Sequence, residues 1–237
     1  MRALLLLLAA LTLLVSVTCA MADTLTIRTG QVAGAPGSCS GNDDSFHFFA
    51  PNPSCGQPIL ATAFQAADFA AACAGMRAVV INPYTAAWIE GLDCDPAARW
   101  IASSISNEVC QGSAASVLYC AQFTLATQCA MADSIRICWA VDDFLGDPPS
   151  YPGPNPGGIY VNGADLGPAF GGPGSSPEYS AVAYNVPLTA GTNSLAVYQR
   201  DAGCGLGGLI LSATVYTACG IVPTETTSWG SVKSVFR

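Results

Sequence analysis

Ten cysteines remain once the first 22 residues are set aside, and this even number limits what the chain can fold into. No two of them stand in the C-x-x-C spacing of zinc sites and thioredoxin-like redox motifs. An even set in an exported chain predicts five disulfides, which stabilise a loop-rich domain in an oxidising compartment. The ten are Cys39, Cys55, Cys73, Cys94, Cys110, Cys120, Cys129, Cys138, Cys204 and Cys219.

The first 22 residues have the features of a signal peptide. Arg2 supplies one positive charge, residues 3–17 are almost all Leu, Ala and Val, and Ala20-Met21-Ala22 provides the small-x-small cleavage pattern. We expect export through the general secretory route, a mature chain that begins at Asp23, and a secreted or cell-surface protein. Cys19 leaves with the leader.

Acidic residues outnumber basic ones by 16 to 8, which gives a formal net charge of −8 at pH 7. An acidic surface with few cations repels phosphate backbones, so nucleic acid is not expected to be a partner. No second apolar stretch reaches the roughly 20 residues of a membrane span, so the mature chain is not predicted to be an integral membrane protein. Composition leaves the oligomeric state open.

Alternation of apolar and polar residues predicts a series of short β-strands. The clearest are residues 24–29, 117–126, 134–141, 158–161, 181–188, 194–199 and 209–216. Turn residues separate them, among them Asn162-Gly163, a dipeptide typical of two-residue hairpins. Residues 64–74 are rich in Ala and predict one short helix in a connection. The pattern predicts an all-β, disulfide-rich antiparallel β-sandwich or jelly roll.

The domain is expected to span residues 23–219, from the end of the leader to the last cysteine. Residues 142–156 and 167–177 are predicted loops that interrupt its second half. A Cys39–Cys55 disulfide would close the loop region that follows the first strand. This interpretation depends on the spacing of the two cysteines alone. Residues 220–237 differ in composition and are interpreted as a separate C-terminal tail.

Four motifs follow one another in the second half: Trp139-Ala-Val-Asp-Asp143, Gly158-Ile-Tyr-Val-Asn-Gly163, Val186-Pro-Leu-Thr-Ala-Gly-Thr-Asn-Ser-Leu195 and Gly208-Leu-Ile-Leu-Ser-Ala-Thr-Val215. Upstream stand Asn82-Pro-Tyr-Thr-Ala-Ala-Trp88 and Ala98-Arg-Trp-Ile-Ala-Ser103. In order and spacing they resemble the galactose-binding-domain-like, jelly-roll β-sandwiches of bacterial secreted proteins, although Asp143 stands where that pattern has Asn. Trp88 and Trp100 are predicted to be core residues, because their size fills the space between two sheets.

The resemblance implies a non-catalytic, secreted or cell-surface binding module, with carbohydrate as the leading class of ligand. A fold does not fix a function, so a second class stays open. This alternative is a structural or adhesive extracellular component without a sugar site, which the low charge and the many disulfides also suit.

Aromatic side chains beside the two predicted loops are the candidate glycan-binding residues. Such rings stack on the apolar faces of sugars, while neighbouring polar groups bond the hydroxyls. We predict that a glycan or cell-surface polysaccharide contacts Tyr151, Tyr160, Phe170, Tyr179, Arg200 and Asp201. The alternative is that the rings pack the Gly- and Pro-rich loops.

Carboxylates cluster in the first of these loops, at Asp142, Asp143 and Asp147. Oxygen ligands of this kind bind calcium, and sandwiches like those that the chain resembles often hold a structural calcium ion. Calcium is therefore the candidate cofactor, although the loop lacks the Asp-x-Asp-x-Asp-Gly pattern of calcium-binding loops. Solvated acidic side chains in Asx-turns are the alternative.

No catalytic set is apparent, and the chain is predicted not to be an enzyme. His47, the only histidine, lies among phenylalanines, and no Gly-x-Ser-x-Gly elbow accompanies it. We expect it to have a packing role. Asp143 and Glu178 are the nearest approach to a glycosidase pair, but nothing in the sequence brings them together.

The tail predicts a short helix that presents Trp229, Val232 and Phe236 on one face. Its sequence resembles short C-terminal tails shared by otherwise unrelated secreted bacterial proteins, which implies a sorting or attachment segment. A disordered terminus and a segment docked on the sandwich are the alternatives.

Overall fold

The chain is built mainly of antiparallel β-strands, as the alternating sequence pattern predicts. A computed structural model describes residues 23–51, 56–84, 87–125, 134–174 and 177–217. The predicted leader and tail lie outside the described residues, as do Cys55, Cys129 and Cys219. One α-helix, α1, spans Ala66–Cys73, and a short 3-10 helix spans Pro168–Phe170. The strands are β1 Asp23–Arg28, β2 Gln31–Val32, β3 Ala35–Pro36, β4 Asn42–Phe49, β5 Met76–Val80, β6 Ile101–Ala102, β7 Val117–Leu125, β8 Ser134–Asp142, β9 Phe144–Leu145, β10 Ile159–Val161, β11 Ala164–Asp165, β12 Gly172–Pro173, β13 Tyr179–Tyr184, β14 Gly191–Arg200 and β15 Gly208–Thr217.

The long strands form two layers. Sheet I has the order β10-β14-β7-β4, and sheet II has the order β1-β15-β8-β13, with every neighbouring pair antiparallel. β5 and β6 continue the hydrogen bonding from β4 to β15, so both layers belong to one curled sheet. The result is a curled antiparallel β-sandwich compatible with a jelly roll, which confirms the predicted fold class.

Every second residue of the long strands fills the space between the sheets, because successive side chains of a strand point to opposite faces. β8, for example, directs Ile135, Ile137, Trp139 and Val141 into the main core. β7, β14 and β15 contribute in the same way. The strands predicted at residues 117–126, 134–141 and 209–216 match β7, β8 and β15 to within one residue at each end.

The predicted Asn162-Gly163 hairpin joins β10 to β11. Both residues have positive φ angles, 51° and 79°, as a type I′ turn requires. The two predicted loops are partly ordered into strands, because β9 in the first pairs with β12 in the second and also with β14.

Sheet II carries a cover on its outer face, made by the connection between β5 and β6. Trp88 and Trp100 of this connection pack on Ala140 and Ile210 with ring centroids 4.3 Å apart. Trp100 is only 1% exposed, and the prediction that both tryptophans are core residues is confirmed. They lie outside sheet II, however, and not between the two sheets, because the connection folds back over the outer face.

Sheet I is covered by α1, which forms within the predicted Ala-rich segment. Its Phe69 and Ala72 are buried against the outer face of the sheet, where Cys120 belongs to the same cluster. The Asp68 carboxylate accepts a hydrogen bond of 2.8 Å from the Gln65 N–H and so stabilises the first turn.

Three disulfides join described cysteines, namely Cys39–Cys110, Cys73–Cys120 and Cys94–Cys138, and Cys204 is also disulfide-bonded. The predicted Cys39–Cys55 pairing is wrong. The loop that follows Cys39 runs beside β5, where the Ser40 N–H bonds the Val80 carbonyl at 3.0 Å. The Cys110 Sγ lies 3.7 Å from that same carbonyl oxygen, so Cys110 is the cysteine that meets Cys39.

Replacing both Cys73 and Cys120 by Ala is expected to lower the free energy of unfolding by about 3–4 kcal/mol. The bond joins residues 47 positions apart and restricts the unfolded chain accordingly. Urea denaturation of the oxidised variant and wild type would show a lower midpoint, with a slope that is the same or steeper because the unfolded variant is more expanded. An unchanged midpoint would contradict the prediction.

Candidate functional site

A groove of about 750 Å³ lies between α1 and the outer face of sheet I. Its helix side is formed by Phe64, Phe69, Ala70 and Cys73. Its sheet side is formed by Gln122 of β7, by Thr192, Asn193 and Ser194 of β14, and by the Asn162-Gly163 turn.

The floor of the groove begins where α1 stops covering the sheet. Leu118 and Cys120 of β7 lie beneath the helix in an apolar cluster. The next outward-facing residue of the strand is Gln122, which lies opposite Ser194 of β14. Polar residues therefore replace apolar ones at the point where the outer face becomes open to water.

Three polar side chains of the floor have unused hydrogen-bonding capacity. Among the described residues, Gln122, Thr192 and Ser194 make no side-chain hydrogen bond with the protein, and Gln122 and Thr192 are exposed. Asn162 and Asn193, in contrast, hold the turns together: the Asn162 Nδ2 donates to the Asn193 Oδ1 at 2.8 Å. The groove thus offers one free amide and two free hydroxyls to a ligand.

The opposite wall is apolar and is held in place by aromatic packing. The ring of Phe64 meets those of Phe69, Tyr160 and Tyr198 edge to face, at centroid distances of 5.7, 5.9 and 5.1 Å. Phe64 is half-buried, so one part of its ring faces the groove. The described lining contains no charged side chain, since Cys73 is bonded to Cys120.

A buried ionic cluster anchors the segments that carry this wall. Asp147 accepts hydrogen bonds from the Tyr198 hydroxyl and the Asn155 N–H, both at 2.9 Å. The Arg200 Nε lies 3.2 Å from the Asp147 Oδ1, an ion pair without hydrogen-bond geometry. Asn155 in turn accepts a hydrogen bond of 2.7 Å from the Phe64 N–H, so the cluster fixes the backbone at the groove.

The sequence analysis predicted that Arg200 and Asp201 contact a ligand at the surface. The structure instead buries both residues. Arg200 is 2% exposed, and its guanidinium donates to the Ser116 hydroxyl at 3.1 Å and the Gly56 carbonyl at 3.0 Å. Asp201 is fully buried beside it. Both residues sit at the end of β14 beneath the connections that cross it, so their polarity serves internal contacts.

The described side chains of the predicted aromatic set have separate surroundings. Tyr151 is 42% exposed and packs on Phe144. Tyr160 is buried in the wall described above, with its hydroxyl donating to the Gly157 carbonyl at 2.8 Å. Tyr179 is half-buried and stacks on Trp139. Phe170 ends the 3-10 helix, and its side chain lies outside the described part of the chain.

The three carboxylates proposed for calcium also have separate surroundings. The Asp142 Oδ2 accepts a hydrogen bond of 2.9 Å from the Trp88 indole, Asp143 accepts bonds from two backbone N–H groups of residues 202–203, and Asp147 belongs to the Arg200 cluster. Among the described residues, their oxygens do not all approach within the 4.8 Å that a shared ion would require. The one described set that does is Cys94, Cys138 and Glu178, and its two cysteines are disulfide-bonded.

Asp142 and Asp143 form a hydrogen-bonded carboxyl pair. Burial, together with the hydrogen bond and negative charge of Asp143, raises the pKa of Asp142 to about 7. Glu178 is not part of this pair. Its carboxylate accepts hydrogen bonds from the backbone N–H groups of Asp93 and Cys94.

An exposed apolar strip on the outer face of sheet II was not predicted from the sequence. In the described part of the sheet, β13 is an edge strand that pairs only with β8. Its outward residues include Val182 and Tyr184, and Tyr184 is 74% exposed. Tyr184 lies opposite Ser134, which lies opposite the exposed Tyr216 of β15. The strip is uncovered because the Trp88 and Trp100 connection reaches only the other end of the sheet.

No protein-family model, curated protein or solved structure matches the chain. The fold assignment therefore depends on the strand order and register given above. Within residues 23–217, as far as they are described, no helix is long and apolar enough to cross a bilayer.

The Asp142→Asn variant is expected to be more stable than wild type at pH 8, with a smaller difference at pH 5. The folded state binds the Asp142 proton more tightly than the unfolded state, so wild-type stability falls as pH rises from about 4 to 7. An asparagine amide keeps the donor to Asp143 without that loss. Urea midpoints of both proteins at the two pH values measure the effect.

Asp93→Asn, which removes the same charge at an exposed carboxylate, is the matched control, and Asp142→Asn should exceed it in stabilisation at pH 8. Equal stabilities of wild type and Asp142→Asn at pH 8 would contradict the proton-sharing pair.

Proposed function

We propose that the chain is a secreted or cell-surface, non-catalytic binding module whose groove beside α1 takes a neutral carbohydrate. The observation that carries this proposal is the chemistry of the groove. Free amide and hydroxyl groups line one wall, phenylalanine rings line the other, and the described lining contains no charged side chain in a protein of net charge −8.

This combination fits sugars better than other small ligands. A sugar ring has an apolar face that packs on aromatic carbon and a rim of hydroxyls that both donate and accept hydrogen bonds. Gln122, Thr192 and Ser194 also offer both donors and acceptors. A charged ligand would lose its hydration without meeting an opposite charge, which makes its binding unfavourable.

Export and a galactose-binding-domain-like family are part of the same proposal. The motifs of the second half support the family, and the apolar leader supports export. Three disulfides between described cysteines fit an oxidising compartment.

A structural calcium ion stays a prediction, now restricted to the Asp142 and Asp143 pair. Asp147 is omitted because its buried carboxylate is already paired with a cation, the Arg200 guanidinium, whereas no described ion pair involves Asp142 or Asp143. Thermal unfolding with calcium and with EGTA tests it, and identical unfolding temperatures in both would contradict it.

Ala70→Trp is expected to weaken glycan binding at least tenfold, because an indole at this exposed helix position would fill the groove. A glycan array of the oxidised protein identifies the sugar, and calorimetry gives the affinity. Ala67→Trp is the matched control: this residue is exposed on the same helix but does not line the groove. Equal affinities of the two variants would contradict the assignment of the groove.

Gln122→Leu keeps the size of the side chain and removes its hydrogen bonds, so we expect a loss of about tenfold in affinity. Tyr151→Ala distinguishes binding in the groove from binding at the loop surface that was predicted from the sequence, because Tyr151 does not line the groove. Loss of binding in Tyr151→Ala together with full binding in Gln122→Leu would place the ligand on the loops and contradict the groove.

A structural or adhesive role is the second candidate, and the exposed strip of Val182, Tyr184 and Tyr216 favours it. An edge strand with apolar, uncovered side chains is a surface on which chains associate.

This candidate predicts concentration-dependent association in analytical ultracentrifugation, abolished by Val182→Lys because an edge lysine opposes strand pairing. Val109→Lys, at another exposed apolar position, is the control and should leave association unchanged. A monomer at all concentrations would exclude self-assembly through this strip.

A further inference from the structure

The groove beside α1 continues beyond Gln122. A second cavity of about 390 Å³ lies on the same face of sheet I, where Asp44, Ser45, His47 and Cys120 contribute to its lining. Gln122 and Cys73 line both cavities. The two are therefore parts of one depression that passes the C-terminal end of α1.

The strand register places a row of polar side chains along this depression. Phe46 lies opposite Ala121, which sets Ser45 of β4 beside Gln122 of β7. Gln122 lies opposite Ser194 of β14, and the Ser194 N–H donates to the Asn162 Oδ1 at 2.9 Å. Ser45, Gln122, Ser194 and Asn162 thus cross three intervals between neighbouring strands, a span of roughly 14 Å.

His47 provides a hydrogen-bond acceptor at the far end of the row. Its Nδ1 lies 2.8 Å from the Gly75 carbonyl oxygen, which can only accept, so the proton of the neutral ring is on Nδ1. The Nε2 then carries a lone pair, and no described group of the protein bonds it. A hydroxyl of a ligand is a suitable donor to this nitrogen. Asp44 at the same end lies 3.8 Å from Arg77, so its charge has a counter-ion.

We propose that the ligand is an oligosaccharide chain that lies across β4, β7 and β14 and fills about three sugar positions. A hexose ring with its bridging oxygen spans three to four single bonds, roughly 5 Å, so the row of roughly 14 Å matches three units. Gln122 contacts the middle unit and His47 the unit beyond it. This inference rests on the proposed carbohydrate function and adds the length and direction of the ligand.

The Cys73–Cys120 disulfide forms part of the wall at the middle of this path. It joins the last residue of α1 to β7, directly opposite His47 in the register. The distance between helix and sheet is therefore set before the ligand arrives, so less ordering is required on binding.

Calorimetry with neutral oligosaccharides of one to five units tests the proposal on the oxidised chain. The probes are β-1,4-linked glucose, mannose and xylose series and an α-1,4-linked glucose series. In the series that binds, we expect the affinity to rise at least tenfold from one to three units and less than about twofold thereafter. An affinity that is the same at every length would overturn the proposal while leaving the carbohydrate function intact.

Variants at the far end make the test specific. His47→Ala is expected to bring the trisaccharide Kd to within about twofold of the disaccharide Kd, and His47→Gln, which keeps an acceptor, should recover part of the gain. Ser45→Val provides a second test if His47→Ala does not fold, as judged by thermal unfolding. A full gain from the third unit in both His47→Ala and Ser45→Val would overturn the assigned path. No binding in any series would overturn the carbohydrate function as well.

Discussion

The buried contact between Asp147 and Arg200 is the interaction on which the candidate site depends. Arg200 ends β14, while Asp147 and Asn155 belong to a loop that crosses the outer face of sheet I. Through Asn155 this cluster holds the backbone of Phe64, just before α1. Removing one partner of such a pair leaves a buried charge without compensation, which costs about 3–5 kcal/mol. The groove therefore depends on residues that no ligand would touch.

The outer faces of the two sheets are covered by different kinds of segment. Each sheet has an apolar outer patch that must be kept from water, and each is covered by a connection of the chain. On sheet II the cover includes a pair of tryptophans that pack on each other and on the strands beneath them. On sheet I the cover is an eight-residue helix that reaches only part of the strands. A short, straight cover on a curved sheet leaves a gap beside it, and that gap is the groove.

Much of the fold followed from local patterns, whereas the site did not. Alternation located β7, β8 and β15, and Asn162-Gly163 located a hairpin, because these signals act within a few residues. The alternation of residues 117–126 also places Gln122 on the outward face. Nothing local, however, shows that the segment around Phe64 returns to cover that face. Arg200 was predicted to be a surface ligand contact for the same reason, since a buried arginine is recognised only from its distant partners at Asp147, Ser116 and Gly56.

The placement of two disulfides has a consequence for how the protein depends on its surroundings. Cys73–Cys120 and Cys94–Cys138 each join a covering segment to the outer face of a sheet, and neither bridges the space between the sheets. The main core is held chiefly by apolar packing, while these two covers are held by covalent bonds as well. The surface and the interior are thus sensitive to different agents: thiols act on the covers, and denaturants act on the core. Because Cys73 lines the groove and is bonded to Cys120, the shape of the groove depends on the redox state of the compartment.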